Sequence, residues 1–204
     1  MSVQVRPVAP IYKGMRAPKH IFLENILSHE ECDILNLKYL NHIQNGWKGY
    51  EYDTRTKGIS LSDPYKVLEV DDSLIIKRLT ETIETNFAEK VKYSHSFLRL
   101  YKNDSHLLLH NDRKGLDITL SVNLGGLENW PIHISNVYAE KQIDLTYTTD
   151  HSIGAKYKED YSSFLTPKGC GVVCYAKDFP HWREKLVCND DEYVLQIFYH
   201  WSIL

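Results

Sequence analysis

The spacing of hydrophobic and polar residues predicts helices in the first part of the chain. Two segments, residues 28–43 and 72–90, carry apolar side chains at the intervals of an amphipathic helix. Ser28 followed by Glu31 forms the capping-box pattern that is typical of a helix start. On the first helix, the side chains expected to face the core are Cys32, Ile34 or Leu35, Leu37 and Leu40.

After residue 92 the pattern changes to short β-rich segments separated by Gly, Asn, Asp and Pro. The predicted strands are residues 94–102, 107–110, 117–124, 131–136, 143–148, 163–166, 171–175 and 193–203. Short strands after two helices predict an α+β fold that is mainly β, a double-stranded β-helix (jelly roll) core buttressed by N-terminal helices. We expect a single domain over residues 1–204, with an arm and supporting helices in 1–92 and the jelly-roll core in 93–204.

The remaining segments are predicted as connections. Pro and Gly residues indicate an irregular arm over residues 1–18, which a short strand at 21–23 follows. Residues 45–66 are rich in Gly, Tyr, Thr, Ser and Asp and are predicted as a loop. We expect residues 152–163 to form a mobile loop near the functional site, because long loops in compact domains often act as lids.

Composition and charge narrow the functional classes. The net charge of −3 argues against broad binding to nucleic acid, which normally needs a basic face, although Arg113 and Lys114 form a local basic pair. The four cysteines lack paired zinc-type spacing, so we expect reduced structural thiols and a cytoplasmic location. The N-terminus lacks the apolar core of a signal peptide, and no stretch approaches the length of a transmembrane helix. These features leave the oligomeric state open.

A split set of metal-ligand residues is the strongest functional signal. His110 and Asp112 stand two residues apart after a strand-like segment, so both side chains can point toward one metal. His181 follows about seventy residues later. Two imidazoles and one carboxylate form the facial triad of non-haem Fe(II) oxygenases, with Mn, Co or Zn as surrogate metals. His200 competes for the third position, but it lies inside the predicted last strand, where a core or site-lining role is expected.

Further motifs flank these residues. Leu98–Tyr101 ends nine residues before His110, residues 116–126 contain a strand and a glycine turn, residues 165–175 form the strand before the distal histidine, and residues 193–201 form a last strand. In this order the motifs resemble the Fe(II)/2-oxoglutarate-dependent dioxygenases, in particular the prolyl-4-hydroxylase-like branch. The resemblance covers about half of the chain, from Phe97 to Trp201.

The resemblance implies Fe(II) as cofactor, 2-oxoglutarate as cosubstrate and dioxygen as oxidant, with Tyr101 and Thr119 beside the cosubstrate. Members of the branch usually carry a Lys or Arg about ten residues after the distal histidine, where it pairs with the far carboxylate of 2-oxoglutarate. Here that position is Asp191. We expect Arg183 to take this part, because arginine suits bidentate carboxylate recognition; the alternatives are Lys185 and Arg99.

The resemblance therefore implies an enzyme that hydroxylates an unactivated C–H bond. The substrate classes are a prolyl residue in a peptide, and a free amino acid or other small metabolite. Because Asp112 is present, the triad leaves no vacant position for a halide, which favours hydroxylation over halogenation. The alternatives are a non-catalytic metal-binding jelly roll and a nucleic-acid demethylase, of which the acidic net charge disfavours the second.

Overall fold

The computed structural model describes residues 20–45, 51–53, 56–144 and 152–204. The predicted arm over residues 1–18 lies outside the described residues. In chain order, the elements are β1 (His20–Leu23), α1 (His29–Gln44), β2 (Glu51–Asp53), β3 (Gly58–Ser62), α2 (Pro64–Val67), α3 (Ser73–Phe87), β4 (Val91–Tyr101), β5 (Leu107–His110), β6 (Ile118–Gly126), β7 (Ile132–Ser135), α4 (Ser152–Ala155), β8 (Tyr161–Phe164), β9 (Gly171–Cys174), β10 (His181–Arg183) and β11 (Val194–Ile203).

The strands form two antiparallel sheets. The larger sheet has seven strands in the order β1-β9-β6-β11-β4-β3-β2, and the smaller sheet has four in the order β5-β10-β7-β8. Most neighbouring strands are not consecutive in the chain, as in a jelly roll; the exceptions are β2–β3, β3–β4 and β7–β8. The predicted fold class, a mainly β jelly roll with N-terminal helices, is confirmed. The single domain over residues 1–204 stays a prediction.

The helices cover the outer face of the larger sheet. The capping box of α1 is present, because Glu31 N donates to Ser28 Oγ and Ser28 N donates to the Glu31 carboxylate. The buried side chains of α1 are Cys32, Leu35 and Tyr39. Leu37 was expected in the core and is 62% exposed, because it lies on the opposite side of the helix from these three buried side chains.

The two faces of β11 have different roles. Leu195, Ile197, Tyr199 and Trp201 belong to the core cluster that also contains buried residues of both long helices. The alternate residues of β11 face the interior of the roll, where Phe198 and His200 line a cavity. The alternation of side chains therefore separates the core from the functional site.

Several connections differ from the prediction. Residues 45–66 contain β2, β3 and α2 instead of a plain loop, and residues 152–163 contain α4 and part of β8. Among the described residues of the predicted strand 143–148, Asp144 forms only an isolated bridge with His110, and residues 145–148 lie outside the described part. No helix in the described part of the chain is long and apolar enough to span a membrane.

Candidate metal centre and its cavity

The structure brings the three predicted metal ligands together. Candidate ligand atoms of His110, Asp112 and His181 all lie within 4.8 Å of one another. Oδ1 of Asp112 is 3.8 Å from Nε2 of His110 and 3.9 Å from Nε2 of His181. These separations match three atoms that share one ion at the bond lengths usual for His and carboxylate ligands. The arrangement is a facial triad of two imidazoles and one carboxylate.

The smaller sheet positions the two imidazoles. His181 on β10 is the register partner of His110 on β5, and their ring centroids are 4.4 Å apart. Nδ1 of His110 is 2.8 Å from the Leu108 carbonyl oxygen, and Nδ1 of His181 is 3.3 Å from the Phe179 carbonyl oxygen. If each Nδ1–H donates to its carbonyl, each Nε2 is left as the ligand atom, which is the usual way a metal-binding histidine is oriented.

The larger sheet positions the carboxylate. Thr119 on β6 donates from Oγ1 to Oδ2 of Asp112 at 2.6 Å, and the backbone N–H of Asp112 donates to the Ala176 carbonyl oxygen at 2.8 Å. Oδ1 is therefore the carboxylate oxygen that faces both imidazoles. Thr119 therefore orients Asp112, a function that differs from the predicted contact with a cosubstrate. Its hydroxyl hydrogen is already donated to Asp112.

Asn111 fixes the turn between the first two ligands. The side chain is 4% exposed, and Nδ2 donates to the Lys177 carbonyl oxygen at 2.5 Å. Oδ1 accepts from the backbone N–H of Ile143 at 2.5 Å, and the backbone N–H of Asn111 donates to the Ile143 carbonyl oxygen at 3.0 Å. The sequence did not reveal this function, because an asparagine between two polar residues also fits an exposed turn.

Burial and nearby charge favour the metal-binding protonation states. Burial lowers the pKa of His181 to about 4, and His110 adds to this shift, so the imidazole is neutral at neutral pH. Burial by itself raises the pKa of Asp112, but His181, His200, His110 and the hydrogen bond from Thr119 bring it below the ordinary value. A neutral imidazole and an ionised carboxylate are the forms that bind a metal.

A cavity of about 360 Å³ opens beside the triad. Its wall includes Tyr101 and Thr119, together with Arg99, Phe198 and His200. The His200 ring stacks on His95, with centroids 4.8 Å apart. Burial lowers the pKa of His200 to about 4. His200 thus lines the site as expected, and the structure gives the third ligand position to His181.

The three basic side chains considered for the cosubstrate occupy different environments. Lys185 is exposed and pairs with Asp104 at 2.7 Å. Arg99 lines the cavity, and its Nη1 donates to Thr56 Oγ1 at 3.3 Å. Arg183 is 2% exposed and lies outside the cavity wall. The exposed position of Lys185 leaves Arg183 and Arg99 as the candidates.

Arg183 is a buried cation beside two aromatic rings. Its Cζ lies 4.7 Å from the centroid of the Trp130 ring, and Nη1 donates to the Trp130 carbonyl oxygen. Tyr101 packs edge-on against Trp130 at 4.9 Å between ring centroids. Burial lowers the pKa of Arg183 to about 10, although nearby Tyr101 opposes the shift. Among the described residues, Nε and Nη2 of Arg183 have no hydrogen-bond partner.

Known structures share this architecture. An oxidoreductase of the 2OG-Fe(II) oxygenase family from Burkholderia pseudomallei has a TM-score of 0.63 and 10% identity, over 90% of this chain and 84% of that chain. A Pseudomonas putida prolyl-4-hydroxylase has a TM-score of 0.59 and 11% identity, over 90% and 93%. The chain has the fold of these oxygenases. A viral collagen prolyl hydroxylase from Paramecium Bursaria Chlorella virus-1, in a complex with 2OG, has a TM-score of 0.52 and 14% identity, over 91% and 97%.

The likeness lies in the fold. No family model and no curated protein matches the sequence. The predicted resemblance to oxygenases, including prolyl-4-hydroxylases, is thus confirmed by structures at identities of 10–14%. Unrelated functions occur on one fold, so the activity of this chain depends on its own site residues.

Proposed function

We propose that the protein is an Fe(II)- and 2-oxoglutarate-dependent oxygenase that hydroxylates an unactivated C–H bond. The observation that carries this proposal is the set of ligand atoms of His110, Asp112 and His181, which lie within 4.8 Å of one another in the wall of a cavity. Such a triad leaves open positions for a bidentate cosubstrate and dioxygen. When bound, iron and 2-oxoglutarate supply the oxidising chemistry through loss of carbon dioxide and formation of succinate.

The residues of the chain bind and orient the reactants. His110 and His181 would hold the metal through Nε2, and burial keeps the His181 imidazole neutral. Asp112 would hold it through the oxygen that Thr119 leaves free. Thr119 thus acts through Asp112, and its predicted contact with 2-oxoglutarate stays a prediction. Tyr101 and Phe198 contribute aromatic surface to the wall of the cavity.

Arg183 is proposed to hold the far carboxylate of 2-oxoglutarate, with help from Tyr101. Nε and Nη2 form one edge of the guanidinium, which matches the two oxygens of a carboxylate. A buried cation without a counter-charge is costly, and an anion in contact with it removes most of that cost. Arg183 also stands two residues from His181 on the same strand, so both side chains lie on one face of β10.

Arg99 is the second candidate, since it lines the cavity directly. Its Nη1 already donates to Thr56, whereas Nε and Nη2 of Arg183 lack partners among the described residues. The difference favours Arg183, because an anion-binding site needs hydrogen-bond donors that no other group already uses. Variants of the two arginines separate these candidates.

The proposed substrates are a prolyl residue in a peptide and a free amino acid or small metabolite. A cavity of about 360 Å³ lies near the lower end of the range of small-molecule sites, so a cosubstrate and one small reacting group would fill it. The net charge of −3 disfavours nucleic-acid demethylation. A non-catalytic metal-binding jelly roll remains the alternative class. The four cysteines are free, which supports the proposed cytoplasmic setting.

The first experiment records the visible spectrum of anaerobic protein with Fe(II) and 2-oxoglutarate. The chelate of this cosubstrate on iron gives a weak charge-transfer band, which Zn(II) in the same site does not give. We expect the band in the wild type and its loss in His110→Ala. Iron binding without a band would contradict the cosubstrate assignment and would favour the non-catalytic alternative.

A further inference from the structure

Two side chains of opposite charge line the cavity beside the metal ligands and belong neither to the triad nor to the proposed cosubstrate contacts. Arg113 directly follows the ligand Asp112, and Asp144 is the bridge partner of the ligand His110. Both side chains are part of the cavity wall. Among the described residues, the ion pairs do not include Arg113, so its charge is not neutralised by Asp144.

A tight turn holds Arg113 at the edge of the cavity. The backbone N–H of Leu116 donates to the Arg113 carbonyl oxygen at 3.1 Å, and Gly115 between them has a φ of +91°, which glycine adopts at no steric cost. Lys114 is the other cation of this turn, and it is exposed and lies outside the cavity wall. The turn therefore brings one of two adjacent cations to the cavity.

The charge of Arg113 acts on the stacked histidines of the cavity. His95 stacks on His200, which lines the cavity, with ring centroids 4.8 Å apart. Burial lowers the pKa of His95, and the charge of Arg113 lowers it further, whereas Asp63 and Asp112 oppose the shift. The guanidinium thus lies close enough to these rings to influence their protonation.

The segment that contains Asp144 is fixed to the stretch of metal ligands. The backbone N–H of Asn111 donates to the Ile143 carbonyl oxygen at 3.0 Å, and the backbone N–H of Ile143 donates to Asn111 Oδ1 at 2.5 Å. The next residue, Asp144, forms an antiparallel bridge with His110. These contacts place an acidic residue next to the first metal ligand, and the turn places a basic residue next to the second.

Opposite charges in one small cavity match a zwitterion. A free α-amino acid carries a carboxylate and an ammonium on the same carbon, whereas a prolyl residue inside a peptide carries neither charge. An arginine fork suits the carboxylate, and an aspartate accepts hydrogen bonds from the ammonium. The wall also contains Leu107, Leu108 and Leu116, which suit an apolar side chain.

We propose that the substrate is a free α-amino acid with an apolar side chain, whose carboxylate binds Arg113 and whose ammonium binds Asp144. This inference rests on the proposed function and chooses between the two substrate classes named there. Two contacts to groups on one carbon fix the orientation of the side chain relative to the triad. Arg113 and Asp144 are therefore binding residues that determine specificity and take no part in holding the metal.

The test uses anaerobic Mn(II)-loaded protein that holds 2-oxoglutarate. It is titrated calorimetrically with L-proline, L-valine, L-leucine and L-isoleucine, and with the N-acetyl amide of each, which keeps the side chain and lacks both charges. We expect at least one amino acid to bind about 10-fold or more tightly than its N-acetyl amide, the effect of hydrogen bonds between charged groups. A panel in which no amino acid binds, or in which the N-acetyl amides bind as tightly, would overturn the proposal.

Variants then assign the preference to the two side chains. Arg113→Gln and Asp144→Asn should each raise the dissociation constant of the best amino acid about 10-fold and leave that of its N-acetyl amide within about 2-fold. Lys114→Gln and Glu140→Gln are the matched controls, because they make the same charge changes at exposed positions outside the cavity wall. Equal weakening in the controls would indicate a general charge effect and overturn the proposal, as would wild-type binding in Arg113→Gln and Asp144→Asn.

The proposed function fails in a different way. If the Mn(II)-loaded wild type does not bind 2-oxoglutarate, the cosubstrate assignment is wrong, and the inference falls with it. If 2-oxoglutarate binds and N-acetyl-L-prolinamide binds as tightly as L-proline or more so, the proposed function stands with a peptide as substrate, and only the inference about Arg113 and Asp144 is wrong.

Discussion

Thr119 donates a 2.6 Å hydrogen bond to Oδ2 of Asp112, and this contact decides which carboxylate oxygen faces the metal position. The other oxygen, Oδ1, lies 3.8 and 3.9 Å from the Nε2 atoms of the two imidazoles. Thr119 belongs to β6 of the larger sheet, whereas both histidines belong to the smaller sheet. The hydrogen bond thus ties the connection between β5 and β6, which contains Asp112, to the larger sheet at the point where the ligands meet.

Thr119→Val is expected to weaken metal binding while it preserves the fold. Valine keeps the shape of threonine and removes the hydroxyl that orients Asp112. Loss of a residue that orients a metal ligand typically costs 10- to 100-fold in affinity, and we expect a loss of about 10-fold. Calorimetric titration with Mn(II) measures the change. Thr85→Val, the same substitution on the exposed surface of α3, is the control and should bind as the wild type does.

The two arginine candidates for the far carboxylate differ in which lysine variant should bind 2-oxoglutarate weakly. If Arg183 holds the carboxylate, Arg183→Lys loses the two-pronged contact, and the dissociation constant for 2-oxoglutarate rises about 10-fold or more. Arg99→Lys should then leave that constant within about 2-fold of wild type. The reverse order in titrations of Mn(II)-loaded protein would transfer the role to Arg99.

Lys185 provides the matched control for this pair. Its ammonium is 2.7 Å from Asp104 on an exposed surface, and such pairs contribute little to stability. Lys185→Met removes a positive charge two residues from Arg183 without entering the cavity. We expect unchanged binding of 2-oxoglutarate, and a weakened constant would indicate a general charge effect instead of a specific contact.

The metal centre could be predicted because its ligands follow local rules. Residues two apart at the end of a strand point the same way, and this placed His110 and Asp112 together. The choice of His181 over His200 depended on the order of motifs, and the pairing of β10 with β5 places His181 beside His110. The strand β10 itself was missed, since three residues are too few to show a period.

Contacts between distant segments could not be predicted. Asn111 bonds to residues 143 and 177, which lie 32 and 66 positions away in the sequence. The contact of Arg183 with Trp130 joins residues 53 positions apart and likewise forms only in the folded chain.

Asn111→Ala is expected to lower both stability and metal affinity. The substitution leaves the Ile143 N–H and the Lys177 carbonyl without their side-chain partner in a buried turn. An unpaired buried group costs about 1–3 kcal/mol, so we expect the free energy of unfolding to fall by about 2 kcal/mol or more. Urea denaturation of metal-free protein measures this change. A variant with wild-type stability would mean that the turn is held without the side chain.

Because His200 is buried, we expect the protein to lose stability in mild acid. Burial lowers its pKa from 6.5 to about 4, with Asp112 opposing and His95 adding to the shift. Between these values the unfolded chain binds a proton that the folded chain refuses, so stability rises with pH in this window. The stabilisation is complete above about pH 6.5 and is lost as the pH falls toward 4.

His200→Phe isolates this contribution, because phenylalanine keeps a ring against His95 and does not titrate. The free energy of unfolding of metal-free protein, measured with urea from pH 7.5 to 4.5, should fall less in the variant, by about 3 kcal/mol at most. His181 has the same sign of shift and is present in both proteins, so the difference between the two curves reports on His200. Parallel curves would mean that the His200 imidazole takes up its proton in the folded chain as readily as in the unfolded one.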